Sequence, residues 1–224
     1  MIRFNNSKNK KLFIYMSNFI RLICGGDRLS RISKTITNIT KNISKKYKKK
    51  IVILDFGCGS MEISKKLEKK SFVKKIIGTD VFNFKFKTKK MQYMQSAKVF
   101  KKNSKYKFDI VIAIDVLHHI GVMDSQKILI KLSKSSKYII VKDHFEYGFF
   151  SRHLLRFVDF YANYAYGVNI PKRYFDKSLW ARVVKKSQLK EILRINNFQQ
   201  HDGLFNLILN KKHHFISVLK NEKN

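Results

Sequence analysis

The sequence predicts an α/β fold: a mostly parallel sheet with helices on both faces and an antiparallel edge hairpin. Three observations carry this. Short β-branched runs alternate with stretches of helical spacing, the order that builds parallel strands with right-handed crossovers. One run leads into a glycine turn that opens a helix, Asp55-Phe56-Gly57-Cys58-Gly59-Ser60. Aspartates stand at the C-terminal ends of the runs, where ligands of open α/β sheets bind. The length of 224 residues fits one domain with an appendage and suffices to bury a core.

Taken in order, residues 1–11 are polar and basic and are expected to fray. Residues 12–24 read as a helix ended by Gly25-Gly26. In a second helix, Leu29, Ile32, Ile36, Ile39 and Ile43 share one face, and Arg28, Arg31, Lys34 and Lys41 the other. Residues 1–44 thus form an N-terminal helical cap on a domain spanning 45–224. Ile51 to Leu54 is a strand buried on both faces, and the glycine turn and a helix through Ile63 and Leu67 follow it. Further strands are predicted at 73–80, 91–95, 108–115 and 137–143, with a helix at 125–132. Residues 144–180 break the rhythm and read as a lid-like insertion, because long connections in compact domains are commonly functional. Residues 187–195 read as a helix. Residues 205–209 and 215–219 read as the edge hairpin, with His213-His214 in its turn.

Composition bounds the function. Hydrophobic residues make up 44% and aromatics 13%, which excludes a disordered chain. Two cysteines, Cys24 and Cys58, exclude a disulfide-stapled scaffold and a Cys-rich zinc module, and a reducing, cytoplasmic setting is expected. The net charge is +33, from 48 Lys+Arg against 15 Asp+Glu. Of the basic residues 39 are Lys and 9 Arg, whereas recognition of phosphates or bases favours the planar Arg fork. Lys, Asn and Ile are abundant and Ala, Pro and Gly scarce, as an AT-rich coding sequence would give. The charge therefore reads first as compositional drift, and second as binding to an anionic partner such as RNA or a membrane face. Non-specific nucleic-acid affinity at low salt follows in either case. No transmembrane segment is expected: the apolar stretch from Leu12 to Cys24 is short and contains Arg21.

Asp55, Asp80, Asp115 and Asp143 fall at strand ends, and four acids there suit a ligand with donors or positive charge. A dinucleotide fingerprint would need glycine at position 62, where Glu62 stands. Ile-Leu-Asp-Phe-Gly-Cys-Gly instead resembles motif I of the Rossmann-like class I S-adenosylmethionine-dependent methyltransferases. Ile-Ile-Gly-Thr-Asp at 76–80, Phe-Asp-Ile-Val-Ile-Ala-Ile-Asp-Val-Leu-His-His-Ile at 108–120 and Lys-Tyr-Ile-Ile-Val-Lys-Asp-His at 137–144 resemble that family's second, fourth and fifth strands. The segment 143–180 is similar to a type 11/12-like bacterial subgroup with an Asp-Trp-Val-Gly-Asn pattern, although Phe160 replaces the Trp and Ala162 the Gly. Met61 stands at motif I's third glycine. Its side chain either crowds the cofactor's methionine end or points into the helix packing.

The resemblance implies S-adenosylmethionine as cofactor, held by Asp55, Gly57, Cys58, Gly59, Asp80, Val81, Gln95 and Asp115. Asp80 would take the ribose hydroxyls, Gln95 the adenine amine, and Asp115 the methionyl end or the substrate. Each has a plainer reading; Asp55, for example, could simply cap the next helix. Methyl transfer from a sulfonium needs positioning above all, and a base only where the acceptor is poorly ionised. His144 and His119 are the candidate catalytic residues. Tyr164 and Tyr166 are candidate substrate contacts. No ligand spacing among His118, His119 and His144 supports a metal site, and none is expected. The acceptor is read as a small molecule or a lipid or saccharide intermediate. The alternatives are an RNA methyltransferase using the basic surface and a non-catalytic cofactor-binding module.

Overall fold

The structure, a computed structural model, describes residues 7–82, 86–100, 106–163, 167–201, 206 and 209–222; within 7–27 it describes the backbone and the Tyr15 side chain. The β-branched runs form strands β1 (Ile51–Phe56), β2 (Val73–Thr79), β3 (Met91–Tyr93), β4 (Phe108–Ile114) and β5 (Ser136–His144), with β6 (Lys190–Ile195) and β7 (His214–Lys220) completing the sheet. The order is β3-β2-β1-β4-β5-β7-β6. The first five strands are parallel, and β7 pairs antiparallel with β5 and with β6. Sequence order reverses between β1 and β4, the switch point at which such sheets bind ligands.

The helices are α1 (Ser7–Lys46), α2 (Glu62–Glu68), α3 (Ser96–Val99), α4 (Leu117–Ile120), α5 (Val122–Ser133), α6 (Phe149–Asn163) and α7 (Lys177–Lys186). One face of the sheet packs Ile53, Ile110 and Ile112 against Ile32 and Ile36 of α1 and Leu67 of α2. The other packs Leu54, Val111 and Ile139 against Leu129 of α5 and Trp180 and Val183 of α7. Trp180 is fully buried between Phe175 and Phe215, and its indole N–H donates to Glu191 Oε1 at 3.1 Å.

Four expectations change. Residues 1–6 of the segment expected to fray lie outside the described residues; from Ser7 on the chain is helical and does not break at Gly25-Gly26, α1 being one helix of 40 residues, Ser7–Lys46. A glycine inside a helix costs about 1 kcal/mol, and the isoleucines that anchor the C-terminal half outweigh that. Residues 190–195 are a strand, not part of a helix. A register shift between Glu191 and Leu193 interrupts the period of two, so the apolar residues fall at helix-like intervals. The edge pairing is therefore β6 with β7. Of the strand expected at 205–209, Phe205, Leu207 and Ile208 lie outside the described residues, Asn206 is helical and Leu209 lies in a bend. His213 and His214 do not sit in an exposed turn; they are buried, 3% and 1% exposed. The segment 144–180 contains α6 and the first turn of α7, with irregular chain over the described residues 167–176 between them.

Ile32 and Ile36 are fully buried while Lys34 between them is exposed. Ile36→Ala should lower stability by about 2–5 kcal/mol, and Lys34→Ala should change it by no more than about 0.5 kcal/mol. Urea denaturation measures both. Equal midpoints for the two variants would show that α1 is not part of the core.

Candidate active site

The ends of β1, β4 and β5 meet at a cavity of about 480 Å³, a size typical of small-ligand sites. Its lining includes Asp55, the turn at Gly57, Cys58 and Gly59, then Asp115, His119 and His144. Helix α6 contributes Leu155, Val158, Asp159, Ala162 and Asn163, and α1 contributes Arg28.

The glycine turn is fixed by the neighbouring strand. The amides of Gly57 and Cys58 donate to the Thr79 carbonyl at 2.8 and 3.1 Å, and the Gly59 amide donates to Asp80 Oδ2 at 2.8 Å. Gly57 has φ +71°, and a Cβ there would lie 2.3 Å from Val116 Cγ2. Only glycine fits that conformation and that contact. At Gly59 a Cβ would meet nothing within 4 Å, so the backbone is bare on its ligand-accessible side. Asp55 is 4% exposed and accepts from Ser64 Oγ at 2.6 Å. Burial pushes its carboxyl up to about 6, against the Ser64 hydrogen bond. Burial, together with Asp55 and Asp80, also pushes the Cys58 thiol upward, which keeps it protonated.

Met61 takes the left-handed conformation, φ +60°, that the family's third glycine would adopt without strain. Its side chain is 2% exposed and fills the space over Gly78 of β2, where a Cβ would lie 2.6 Å from Met61 Cε. It points into the packing and does not line the cavity. Asp80, Val81 and Gln95 also lie outside the lining. Asp80 is half-buried and bonded to the turn, Val81 is 91% exposed, and Gln95 is exposed at the start of α3.

Asp115 adopts φ +55° at the end of β4 and gathers donors from two elements, α1 and β5. It pairs with Arg28 of α1, with Lys142 Nζ of β5 at 2.5 Å and with His144 Nε2 at 3.1 Å. Burial alone would raise its carboxyl, but Lys142, Arg28 and His144 hold it well below the usual range. Lys142 is fully buried. His144 Nδ1 meets His214 Nδ1 at 3.0 Å. With Nε2–H donated to Asp115, His144 accepts from His214, so both of its nitrogens are engaged. Burial and Lys142 lower the pKa values of His144 and His214, and neighbouring His201 falls to about 4, chiefly through burial and Arg28.

A second cluster stands on α4 and α6. His118 is 2% exposed, and its Nδ1 lies 2.6 Å from Asp143 Oδ1. Asp143 is fully buried and also accepts the His144 amide at 2.7 Å. The sequence set it on the ligand rim; instead it faces inward and anchors α4. His118 Nε2 lies 3.4 Å from Asp159 Oδ2 without the alignment of a hydrogen bond. Burial opposes charge on His118, but Asp143 and Asp159 outweigh it and hold the pKa up at about 10. Tyr174 donates to Asp159 Oδ2 at 2.5 Å. His119 Nδ1 lies 2.8 Å from the Asn169 carbonyl, so it carries the proton and leaves the Nε2 lone pair free.

The structure thus brings Asp55, Gly57, Cys58, Gly59, Asp115, His119 and His144 together. Tyr164 and Tyr166 lie outside the described residues. Sequence reasoning missed Arg28, Lys142, Asp159, His201 and His214. Arg28 had been assigned to the outer face of its helix. Asp159 carried a signal, since it matches the acid of the Asp-Trp-Val-Gly-Asn pattern, as Asn163 matches the amide.

Asp55 generates a stability prediction. Its folded pKa of about 6 exceeds the ordinary 3.8, so the folded state binds the extra proton between those values. Stability from this group is greatest at low pH and is lost as pH rises through that window, by roughly 3 kcal/mol. Asp55→Asn should therefore raise the melting temperature near pH 7, and the gain should vanish near pH 4. A variant that melts at or below wild type across that range would refute the account.

A family model described as a methyltransferase domain matches residues 28–200. A search of curated proteins returns no match. Among solved structures, the chain resembles the methyltransferase domain of bacterial CtHen1, with TM-score 0.58 and 14% identity over 85% of this chain and 98% of that one. It also resembles an S-adenosylmethionine-dependent methyltransferase from Clostridium acetobutylicum ATCC 824, with TM-score 0.55 and 13% identity over 96% and 99%. The magnesium protoporphyrin IX methyltransferase of Synechocystis PCC 6803, solved with bound SAH, gives TM-score 0.53 and 12% identity over 86% and 84%. At such identities the structural likeness shows the fold, and the family match carries the assignment. With the glycine turn at the switch point of the sheet, the chain belongs to the methyltransferase-domain family and is an S-adenosylmethionine-dependent methyltransferase.

Proposed function

We propose that the acceptor is a small molecule, or a lipid or saccharide intermediate, that enters the cavity alongside α6. The observation that carries this is the mixed lining α6 supplies. Leu155, Val158 and Ala162 offer apolar surface, while Asp159 and Asn163 offer polar contacts beside His119 and His144. Small-molecule sites combine an apolar wall with a few placed polar groups in this way. In this reading residues 144–180 are the acceptor lid, with α6 as its body and Tyr164 and Tyr166 as further contacts.

On the cofactor side, Gly57, Cys58 and Gly59 admit the backbone close to the ligand, and the buried Asp55 carboxylate suits a cationic amino group. Asp80 turns from the Gly59 amide toward the ribose hydroxyls. Val81 and Gln95 flank the adenine, and Asp115 orders the cations around the methionyl end. The sulfonium leaves as a neutral thioether, so no residue need protonate it. His119 is better placed than His144 to act on the acceptor, because its Nε2 lone pair is free while both nitrogens of His144 are engaged. Burial and His118 lower the His119 pKa, which keeps that lone pair available at neutral pH.

Two outcomes are expected. By calorimetry, Asp80→Ala should weaken S-adenosylmethionine binding by about 2–3 kcal/mol, the loss of charge-assisted hydrogen bonds. Equal affinity for wild type and variant would remove Asp80 from the site. A radiolabelled-methyl assay on fractionated cell extract should place label in the small-molecule or lipid fraction. Label in RNA, retained at physiological salt where non-specific binding fades, would overturn this reading and favour use of the basic surface.

A further inference from the structure

We propose that His118 Nε2, His119 Nε2 and the Asp159 carboxylate form a binding site for a single divalent transition-metal ion at the α4–α6 end of the cavity. One ligand atom from each of the three residues lies within 4.8 Å of the other two, and Nε2 is the nitrogen that the Nδ1 contacts of both histidines leave over. His118 Nε2 and Asp159 Oδ2 are 3.4 Å apart, close to the edge of a tetrahedron with metal–ligand bonds of about 2.0–2.1 Å.

The surroundings point to the same ion. Each imidazole has its Nδ1 against an acceptor, His118 on Asp143 Oδ1 at 2.6 Å and His119 on the Asn169 carbonyl at 2.8 Å. That arrangement leaves Nε2 of each imidazole to the ion, as metal-bound histidines require, and at His118 the ion displaces the proton that Asp143 and Asp159 otherwise hold there. Asp159 is itself oriented by Tyr174. His118 Nε2 is buried and has no hydrogen-bond partner among the described residues. A buried polar atom left unsatisfied calls for an explanation, and a coordinated ion supplies one. Asp143 and Asp159 also make this the anionic end of a site whose other end carries Arg28 and Lys142.

The donor set decides the class of metal. Two imidazole nitrogens and one carboxylate oxygen suit zinc, manganese, cobalt or iron, and not magnesium or calcium, which prefer oxygen ligands throughout. Three protein ligands also leave coordination positions open, as in catalytic sites and unlike closed structural ones. All three residues line the cavity, so those positions face it. Oxygen-bearing acceptors are the ligands they would take, which rests on the acceptor reading above; metal binding itself does not. With the ion bound, the His119 Nε2 lone pair is held by the metal, so its role as a free base belongs to the metal-free protein.

The test uses the full chain, stripped with a chelator, with no cofactor or acceptor present. Zn2+ should bind with one equivalent per chain by calorimetry. Co2+ should give the visible absorption of a four- or five-coordinate ion, which Zn2+ then displaces. His119→Ala, at a half-buried position, and Asp159→Asn should each weaken binding by at least about tenfold, and Asp143→Asn by about 10–100-fold. His153→Ala, an exposed histidine on the same helix as Asp159, should bind as wild type. Circular dichroism identifies folded variants, and His119→Gln replaces any that unfold. If Zn2+ does not bind the stripped chain, the proposal fails and the cluster holds a proton on His118. Affinity unchanged by folded His119 and Asp159 variants would equally overturn it. Neither result bears on the acceptor assay, so the two readings fail separately.

Discussion

A lysine buried on a central strand organises this site. Lys142 has no access to water, and its ammonium must find an anion inside the protein. Asp115 is that anion, and the arrangement brings backbone as well as side chain into line: the Asp115 amide donates to the Lys142 carbonyl at 2.8 Å, while the carboxylate meets Nζ at 2.5 Å. The left-handed turn at Asp115 follows from serving both contacts at the end of β4. Breaking such a pair by removing one member costs about 3–5 kcal/mol, because a buried charge is stranded. Arg28 and His144 complete the charge balance and tie α1 and the end of β5 to the same carboxylate.

The electrostatics of the cavity follow from that pairing. In a chain of net charge +33, the acids near the cofactor turn could be swamped by long-range positive potential. Short-range pairing prevents this at Asp115, and burial keeps Asp55 apart from the surface lysines. At the other end Asp143 and Asp159 bracket His118, so one cavity holds a cation-rich corner and an anionic corner. The long apolar face of α6 separates neither from solvent by itself. It supplies Leu155 and Val158 to the lining while Phe149, Phe150 and Phe157 point outward, 66%, 87% and 60% exposed.

Strain is placed where the ligand turn needs it. Gly57 absorbs a positive φ beneath Val116, and Met61 accepts the same conformation without being glycine. Burying the Met61 thioether against Gly78 offsets that cost, of order 1–3 kcal/mol for a non-glycine residue in a sparse region. Gly78 is therefore matched to Met61: a small residue on β2 makes room for a large one where the family pattern has none.

The sequence by itself determined the order of strands β1 to β5, the glycine turn and the acids at the ends of β1, β2 and β4. These features are local. Apolar period, turn chemistry and strand ends are written in neighbouring residues, and each is decided before the chain folds back on itself. Where a local pattern was interrupted, the reading failed, as with the shifted register of β6 and the glycines inside α1. The acceptor end was decided only by the tertiary structure. Arg28, Asp115, Lys142, His144, His201 and His214 come from positions spread over most of the chain, and so do His118, Asp143, Asp159 and Tyr174. No spacing along the chain encodes their contact, because it depends on how β5, β7, α1 and α6 close around one point.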